Sequence, residues 1–203
     1  MHKNASVPAR PVATPILSDL TAIRNRARSF IEQGAVTPGY DADLETVLRL
    51  LNEALATELV CVLRYRRHYF VAEGILAEVV KKEFLVHAQE EQAHADLIAA
   101  RIVQLGGAPN FNPDGLATRA HSQYAEGESL EDMITEDLVA ERVAIDTYRE
   151  MIRYLENRDS TTRRMLEQIL ASEEEHAEEL ASMLQGVHEV FGGRAMPTTL
   201  RSK

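Results

Sequence analysis

Six residues, arranged as two matched sets, constrain this chain more than any other feature. Glu58 is followed 33 residues later by Glu91, with His94 three beyond it; Glu141 is followed 32 residues later by Glu173, with His176 three beyond it. Each lone glutamate also has a tyrosine seven residues on, Tyr65 and Tyr148. Residues three apart share one helix face, so the Glu and His of each pair can reach one metal ion. Two such helices, with two more giving one glutamate each, supply four carboxylates and two imidazoles. That is a donor set for a pair of iron or manganese ions inside a helical bundle.

Alone, a Glu-x-x-His pair is weak evidence, because such pairs arise by chance on helix surfaces. Here all six residues fall on apolar helical stripes. The first stripe runs Leu44, Leu48, Leu51, Leu55, Glu58, Val62, Tyr65, Tyr69, from Asp43 to a break at Gly74. The second runs Val80, Phe84, His87, Glu91, His94, Ile98, Ile102, Leu105 and stops at Gly106-Gly107. The third, opened by Ser129 with Asp132, carries Leu130, Ile134, Leu138, Glu141, Ile145, Tyr148, Ile152 and Leu155. The fourth, after a short turn over 156–160, carries Leu166, Ile169, Glu173, His176, Leu180, Leu184 and Val187 and fades by Gly192-Gly193. An ionised carboxylate on such a stripe costs several kcal/mol unless it is paired or bound to metal. Arg64, Arg66, Arg67 and Arg142 lie off the stripes in this reading, so the choice is between two divalent cations, which would cancel the four charges, and buried glutamates satisfied by hydrogen bonds, and the cations are favoured. Carboxylate oxygens with one imidazole per ion suit iron or manganese better than zinc or copper.

Between the second and third stripes, Ala108 to Glu128 is too long for a tight helical hairpin. It reads as a crossover to the other end of a bundle, with a short helix around Leu116 to Tyr124. The order short–long–short gives two hairpins of one pattern, as expected of an internal duplication with a pseudo-twofold. Upstream, Pro8, Pro11 and Pro15 mark residues 1–16 as a tail, and Ser18 caps a short helix from Asp19 to Gln33, stopped by Gly34. The chain thus divides into an N-terminal extension (1–42), an all-α four-helix bundle (43–191) and a flexible tail (192–203).

Glu90, Glu174 and Glu175 rotate off the stripes and are expected at the surface. His87 fits either a core histidine or a partner of the metal ligands, and Tyr65 and Tyr148 either core aromatics or hydrogen-bond donors to the glutamates. Cys61 reads as a small buried residue. As the only cysteine it excludes a disulfide framework and the paired Cys-x-x-Cys of a rubredoxin-type electron donor. Met1 to Leu20 holds no apolar run suited to a signal peptide or membrane span, so a cytoplasmic address is expected. Net charge is −10, yet residues 1–30 carry +4, leaving −14 for the rest. An acidic body repels nucleic acid and concentrates cations. Duplex-DNA binding by the basic arm of Arg24, Arg26 and Arg28 is the weaker alternative to a solvated helix face.

At these residues the chain resembles the ferritin-like superfamily, most closely bacterioferritins and the related Dps-like branch. The matching pieces are Thr57-Glu58-Leu59-Val60 with Tyr65, Glu91-x-x-His94-Ala95-Asp96, Gly106-Gly107-Ala108-Pro109-Asn110, Glu141, and Glu173-Glu174-Glu175-His176. The resemblance covers about residues 43–190 and implies an iron-storing ferroxidase. Such a protein oxidises Fe2+ with O2 or H2O2 at a site holding two iron ions per subunit and keeps the ferric mineral in a hollow homo-oligomer. It implies Glu58 and Glu141 as terminal ligands, Glu91 and Glu173 as bridges, and His94 and His176 completing the shell. In bacterioferritins a methionine after the first Glu-x-x-His glutamate binds haem; here Gln92 stands there, so no haem is expected. The tail from Arg194 to Lys203 has Pro197 and no apolar stripe for a fifth helix, which favours a twelve-subunit shell over twenty-four. Other readings of the same donor set are a rubrerythrin-like peroxidase, a manganese catalase and a Dps-type DNA-binding shell.

Overall fold

A computed structural model of the chain describes residues 19–192. It separates into two compact units that divide between Gly39 and Tyr40. The cap expected at Ser18, the proline-rich tail and the segment after Gly192 lie outside the described residues.

In the first unit the helix expected over Asp19 to Gln33 is shorter. Helix α1 spans Leu20–Arg26, with Asp19 accepting the Thr21 N–H at 2.9 Å, and a separate 3-10 turn covers Ile31–Gln33. Between them Phe30 takes a left-handed conformation, φ 53°. Neither piece buries a residue, so no packed apolar face holds a continuous helix through this region.

The second unit is helical wherever it is regular: α2 Leu44–Val71, α3 Ala77–Gln104, α4 Leu116–Arg119, α5 Leu130–Leu155 and α6 Ser160–Gly192. Asp43 and Ser129 cap α2 and α5, accepting the N–H groups of Thr46 and Asp132 at 3.0 and 3.1 Å. Asp159 caps α6 through Thr162 N–H and takes Arg101 at 2.9 Å and the Tyr40 hydroxyl at 2.8 Å, joining the end of α3 to the start of α6. Short connections make α2 with α3, and α5 with α6, antiparallel hairpins, the two most extensive pairings.

The crossover runs along α2 in α2's own direction. Asn52 binds Asn110, Thr57 accepts the His121 N–H, Arg64 donates to Gln123 O, and Arg67 and His68 meet Glu126 O. Side chains of α2 satisfy this backbone, so α4 ends at Arg119 rather than continuing to Tyr124. The chain therefore enters α5 at the far end, and α5 runs antiparallel to α2. Gly127 makes the final bend at φ 65°, where a Cβ would sit 2.7 Å from Met133 Cγ.

Leu51, Leu55, Ile98, Ile102, Ile134, Leu166, Ile169 and Leu180 are almost fully enclosed, each contributing roughly 1.5–3 kcal/mol by burial. Arg64 corrects the sequence reading: it is 1% exposed, because the crossover covers the face of α2 that bundle periodicity assigns to solvent. It pairs with buried Asp137 at 2.8 Å, as does His68 at 2.8 Å, and so is not a partner of the core glutamates. Among the described residues no helix is long and apolar enough to cross a membrane.

Candidate metal centre

One helix face each from α2, α3, α5 and α6 meets at mid-bundle, where Glu58, Glu91, His94, Glu141, Glu173 and His176 are all buried, His94 the most exposed at 7%. Their donor atoms form two overlapping groups, each with all atoms within 4.8 Å of one another: Glu58, Glu91, His94, Glu173, and Glu91, Glu141, Glu173, His176. Glu91 and Glu173 belong to both. All six residues singled out in the sequence are thus brought together.

The centre repeats itself about the pseudo-twofold. His94 Nδ1 lies 3.4 Å from Glu58, 3.9 Å from Glu91 and 3.0 Å from Glu173. His176 Nδ1 lies 3.9 Å from Glu141, 3.4 Å from Glu91 and 3.5 Å from Glu173. The Tyr65 hydroxyl donates to Glu141 and the Tyr148 hydroxyl to Glu58, so each hairpin's tyrosine orients the other hairpin's lone glutamate.

Despite these approaches, Glu58 Oε2, Glu91 Oε1, Glu141 Oε2, both Glu173 oxygens and the Nδ1 atoms of His94 and His176 have no hydrogen-bond partner. Orphaned buried polar atoms are costly and rare, and seven converging on one point need an external partner. Two divalent cations fit: they cancel four carboxylate charges and take one imidazole each.

The local electrostatics agree. Burial, then neighbouring Glu91, raises Glu58 to about 8, and burial with Glu91 and Glu173 holds Glu141 well above the ordinary carboxylate range. For Glu173 burial is the largest single influence and the Glu58 charge adds to it, yet the imidazoles of His176 and His94 close by outweigh both and leave it below that range. Burial depresses the two imidazoles, but the surrounding carboxylates, Glu173 foremost, push His94 up to about 12 and His176 up to about 10. Binding of a metal ion by this set would release protons from it.

Some partners were not legible in the sequence, while His87 was open between a core and a partner role. Glu90 is exposed as expected, yet it takes His176 Nε2 at 2.9 Å and fixes that ring with Nδ1 facing the centre. His87 is fully buried, stacks on His176 at 4.2 Å, meets the Tyr65 hydroxyl at 3.3 Å and Glu179 at 2.9 Å. Burial, then His176, keeps His87 below its ordinary pKa. Glu179, three residues after His176, and Glu83, one turn before His87, carry no signal of their own in the sequence and come together with His87 only where α3 packs against α6. Cys61 lies beside Ser122 at 3.6 Å with its thiol pushed up by burial, and it belongs to neither donor group.

Comparison with known proteins agrees with this geometry. A bacterioferritin of Mycobacterium leprae is 32% identical over 139 residues, 68% of this chain and 83% of its own length. A nutrient stress-induced DNA-binding protein of Nostoc is 34% identical over 137 residues, 66% of this chain and 74% of its own. The bacterioferritin-related dodecameric thioferritin of Bacteroides fragilis superposes with a TM-score of 0.73 at 30% identity, covering 77% of this chain and 94% of that one. Dps of Thermosynechococcus elongatus shares the fold, with a TM-score of 0.66 at 21% identity over 78% of this chain and 96% of that one. The profile of the ferritin-like domain matches residues 48–190, and the chain belongs to the ferritin-like family.

Proposed function

We propose that the protein is an iron-storing ferroxidase. It takes two Fe2+ ions per subunit as substrate, oxidises them with O2 or H2O2 and passes ferric product to a mineral kept inside a closed shell. The observation that carries this reading is the set of seven unsatisfied buried donor atoms from four helices. With H2O2, two Fe2+ give up two electrons, and the peroxide takes these with two protons to leave two waters.

Glu91 and Glu173, common to both donor groups, would bridge the ions, with Glu58 and His94 closing one side and Glu141 and His176 the other. Tyr65 and Tyr148 hold the terminal carboxylates in place, and Glu90 holds the His176 ring. Protons held at His94, His176 and Glu58 leave as Fe2+ arrives, so loading releases acid. Positions of the ions left free by six protein ligands admit the oxidant.

A lone four-helix subunit encloses no space for mineral, so storage needs many copies. About twelve is favoured by the likeness to the Bacteroides protein and the closed symmetries open to oligomers. Gln92, exposed and bonded to Asp96 at 3.0 Å, offers no thioether to haem. Stopped-flow absorbance of Fe2+ oxidation, run alongside native mass of the same preparation, tests the proposal. Rapid formation of ferric product by a shell that retains iron is expected. Oxidation by a monomer or dimer that keeps no iron would refute storage, and no oxidation at all would refute the ferroxidase.

A further inference from the structure

The two halves of the centre differ in what stands behind them. Between α3 and α6 the duplication offset is 82 residues, read from Glu91 to Glu173, so positions on these helices compare one to one. His87 has Ile169 as its counterpart, and both are buried, 0% and 1% exposed. An isoleucine has no polar atom and no flat ring. What His87 does for the Glu141–His176 half therefore has no equal at that position in the Glu58–His94 half.

His87 reaches two ligands of its half. Its ring stacks on His176, with centroids 4.2 Å apart and planes 24° from parallel. It also stands edge-on to Tyr65, at 5.2 Å and 84°, with Nδ1 3.3 Å from the hydroxyl that donates to Glu141. Glu179 accepts the Nε2 hydrogen at 2.9 Å and so fixes the tilt of the His87 ring. Both nitrogens are thus engaged, whereas the Nδ1 atoms of His94 and His176 have no partner. An imidazole poised to bind metal would leave a nitrogen free, as those two do, so His87 supports ligands and is not one itself. Among the described residues, the Tyr148 hydroxyl meets Glu58 and no imidazole.

We infer that His87 is a positioning residue for the Glu141–His176 half, holding the His176 ring by its face and the Glu141 carboxylate through Tyr65, so that both point at one ion before it arrives. Ligands already held in place lose less freedom when a metal binds. Outer partners of this kind set metal affinity by about 10–100-fold. Ile169 gives Glu58 and His94 no such support, so the effect is confined to one ion. This role rests on the two-cation reading of the centre above.

Full-length protein carrying His87→Ile, which copies the residue of the other half, tests the inference in two backgrounds. His94→Ala leaves Glu141, His176 and the two shared glutamates for one ion, and His176→Ala leaves Glu58, His94 and the same glutamates. Visible absorption of Co2+ bound under nitrogen reads affinity without redox chemistry. His87→Ile should weaken Co2+ binding about tenfold in the His94→Ala background and less than about twofold in the His176→Ala background. His87→Phe keeps a flat ring beside His176 but offers Tyr65 no nitrogen, and it should fall between His87 and His87→Ile. A general loss of folding would weaken both backgrounds alike. Equal effects in the two backgrounds, or none in either, would overturn the role of His87 while leaving the centre standing. Parent protein that binds no Co2+ would overturn the centre itself and this role with it.

Discussion

On α3 and α6, Leu97, Met165 and Ile169 stand at the positions that Glu179, Glu83 and His87 hold one duplication offset away. Deeper in, the two halves coincide: each has its lone glutamate, its Glu–His pair and a tyrosine bonded across to the other half. On the outer face of α2, hairpin one carries buried Arg64 paired with Asp137, and hairpin two has Thr147 at the position equivalent to Arg64. The contrast separates two kinds of constraint. The proposed metal ligation needs the same donors on both sides, and the duplicated pattern persists there. Attachment of the crossover needs only one side, so there the copies differ.

The largest expected effect concerns attachment. Arg64→Ala leaves Asp137, 0% exposed, with the His68 ring as its remaining side-chain partner, and breaking a buried pair of this kind costs about 3–5 kcal/mol. Thr147→Ala at the equivalent position should stay within about 0.5 kcal/mol. Denaturant unfolding of both variants checks this, and similar losses would mean the crossover is not pinned by one hairpin alone.

Next is the chemistry, where the halves should behave alike. Glu91→Ala and His94→Ala should each cut the initial Fe2+ oxidation rate by about a hundredfold or more, beyond the range typical of outer contacts, with helicity by circular dichroism retained. Full rates in either variant would remove that residue from the centre.

Tyr65→Phe and Tyr148→Phe probe the reciprocal bonds. Each frees one terminal carboxylate, and each should lower Fe2+ affinity by about tenfold, a typical cost for losing a partner that orients a ligand. Comparable losses support the twofold; a loss in one variant alone would show that the two ions are held differently.

The smallest effect sharpens the asymmetry. Glu90→Gln removes the carboxylate that takes His176 Nε2 and should weaken binding severalfold, within the roughly tenfold expected of such contacts. Ser172 occupies the equivalent position beside Glu173, and Ser172→Ala should change affinity by less than about twofold. Anaerobic Fe2+ titration of both variants distinguishes them, and equal effects would cancel the assigned role of Glu90.

The six central residues were legible in the sequence because a charged group on an apolar stripe conflicts with burial unless something neutralises it. Asp43, Ser129 and Gly74 were legible as helix boundaries because capping and chain reversal are local. Pairings across helices were not. That Tyr65 meets Glu141 rather than Glu58 depends on the crossover sending α5 back antiparallel to α2, which no single helix encodes. Arg64 looked solvent-facing for a related reason: stripe periodicity describes packing within the bundle, and the crossover adds a second covered face. The early end of α4 has the same origin, since side chains of α2 supply the hydrogen bonds that further helix would have made.

In the proposed centre Glu91 and Glu173 are shared by two ions, each completed by one imidazole. Anomalous diffraction at the iron edge, from crystals loaded with Fe2+ without oxygen, tests it most directly. Two peaks per chain are expected inside the bundle, both within coordination distance of Glu91 and Glu173, one also at His94 and the other at His176. A single peak, or peaks reached by neither glutamate, would contradict it.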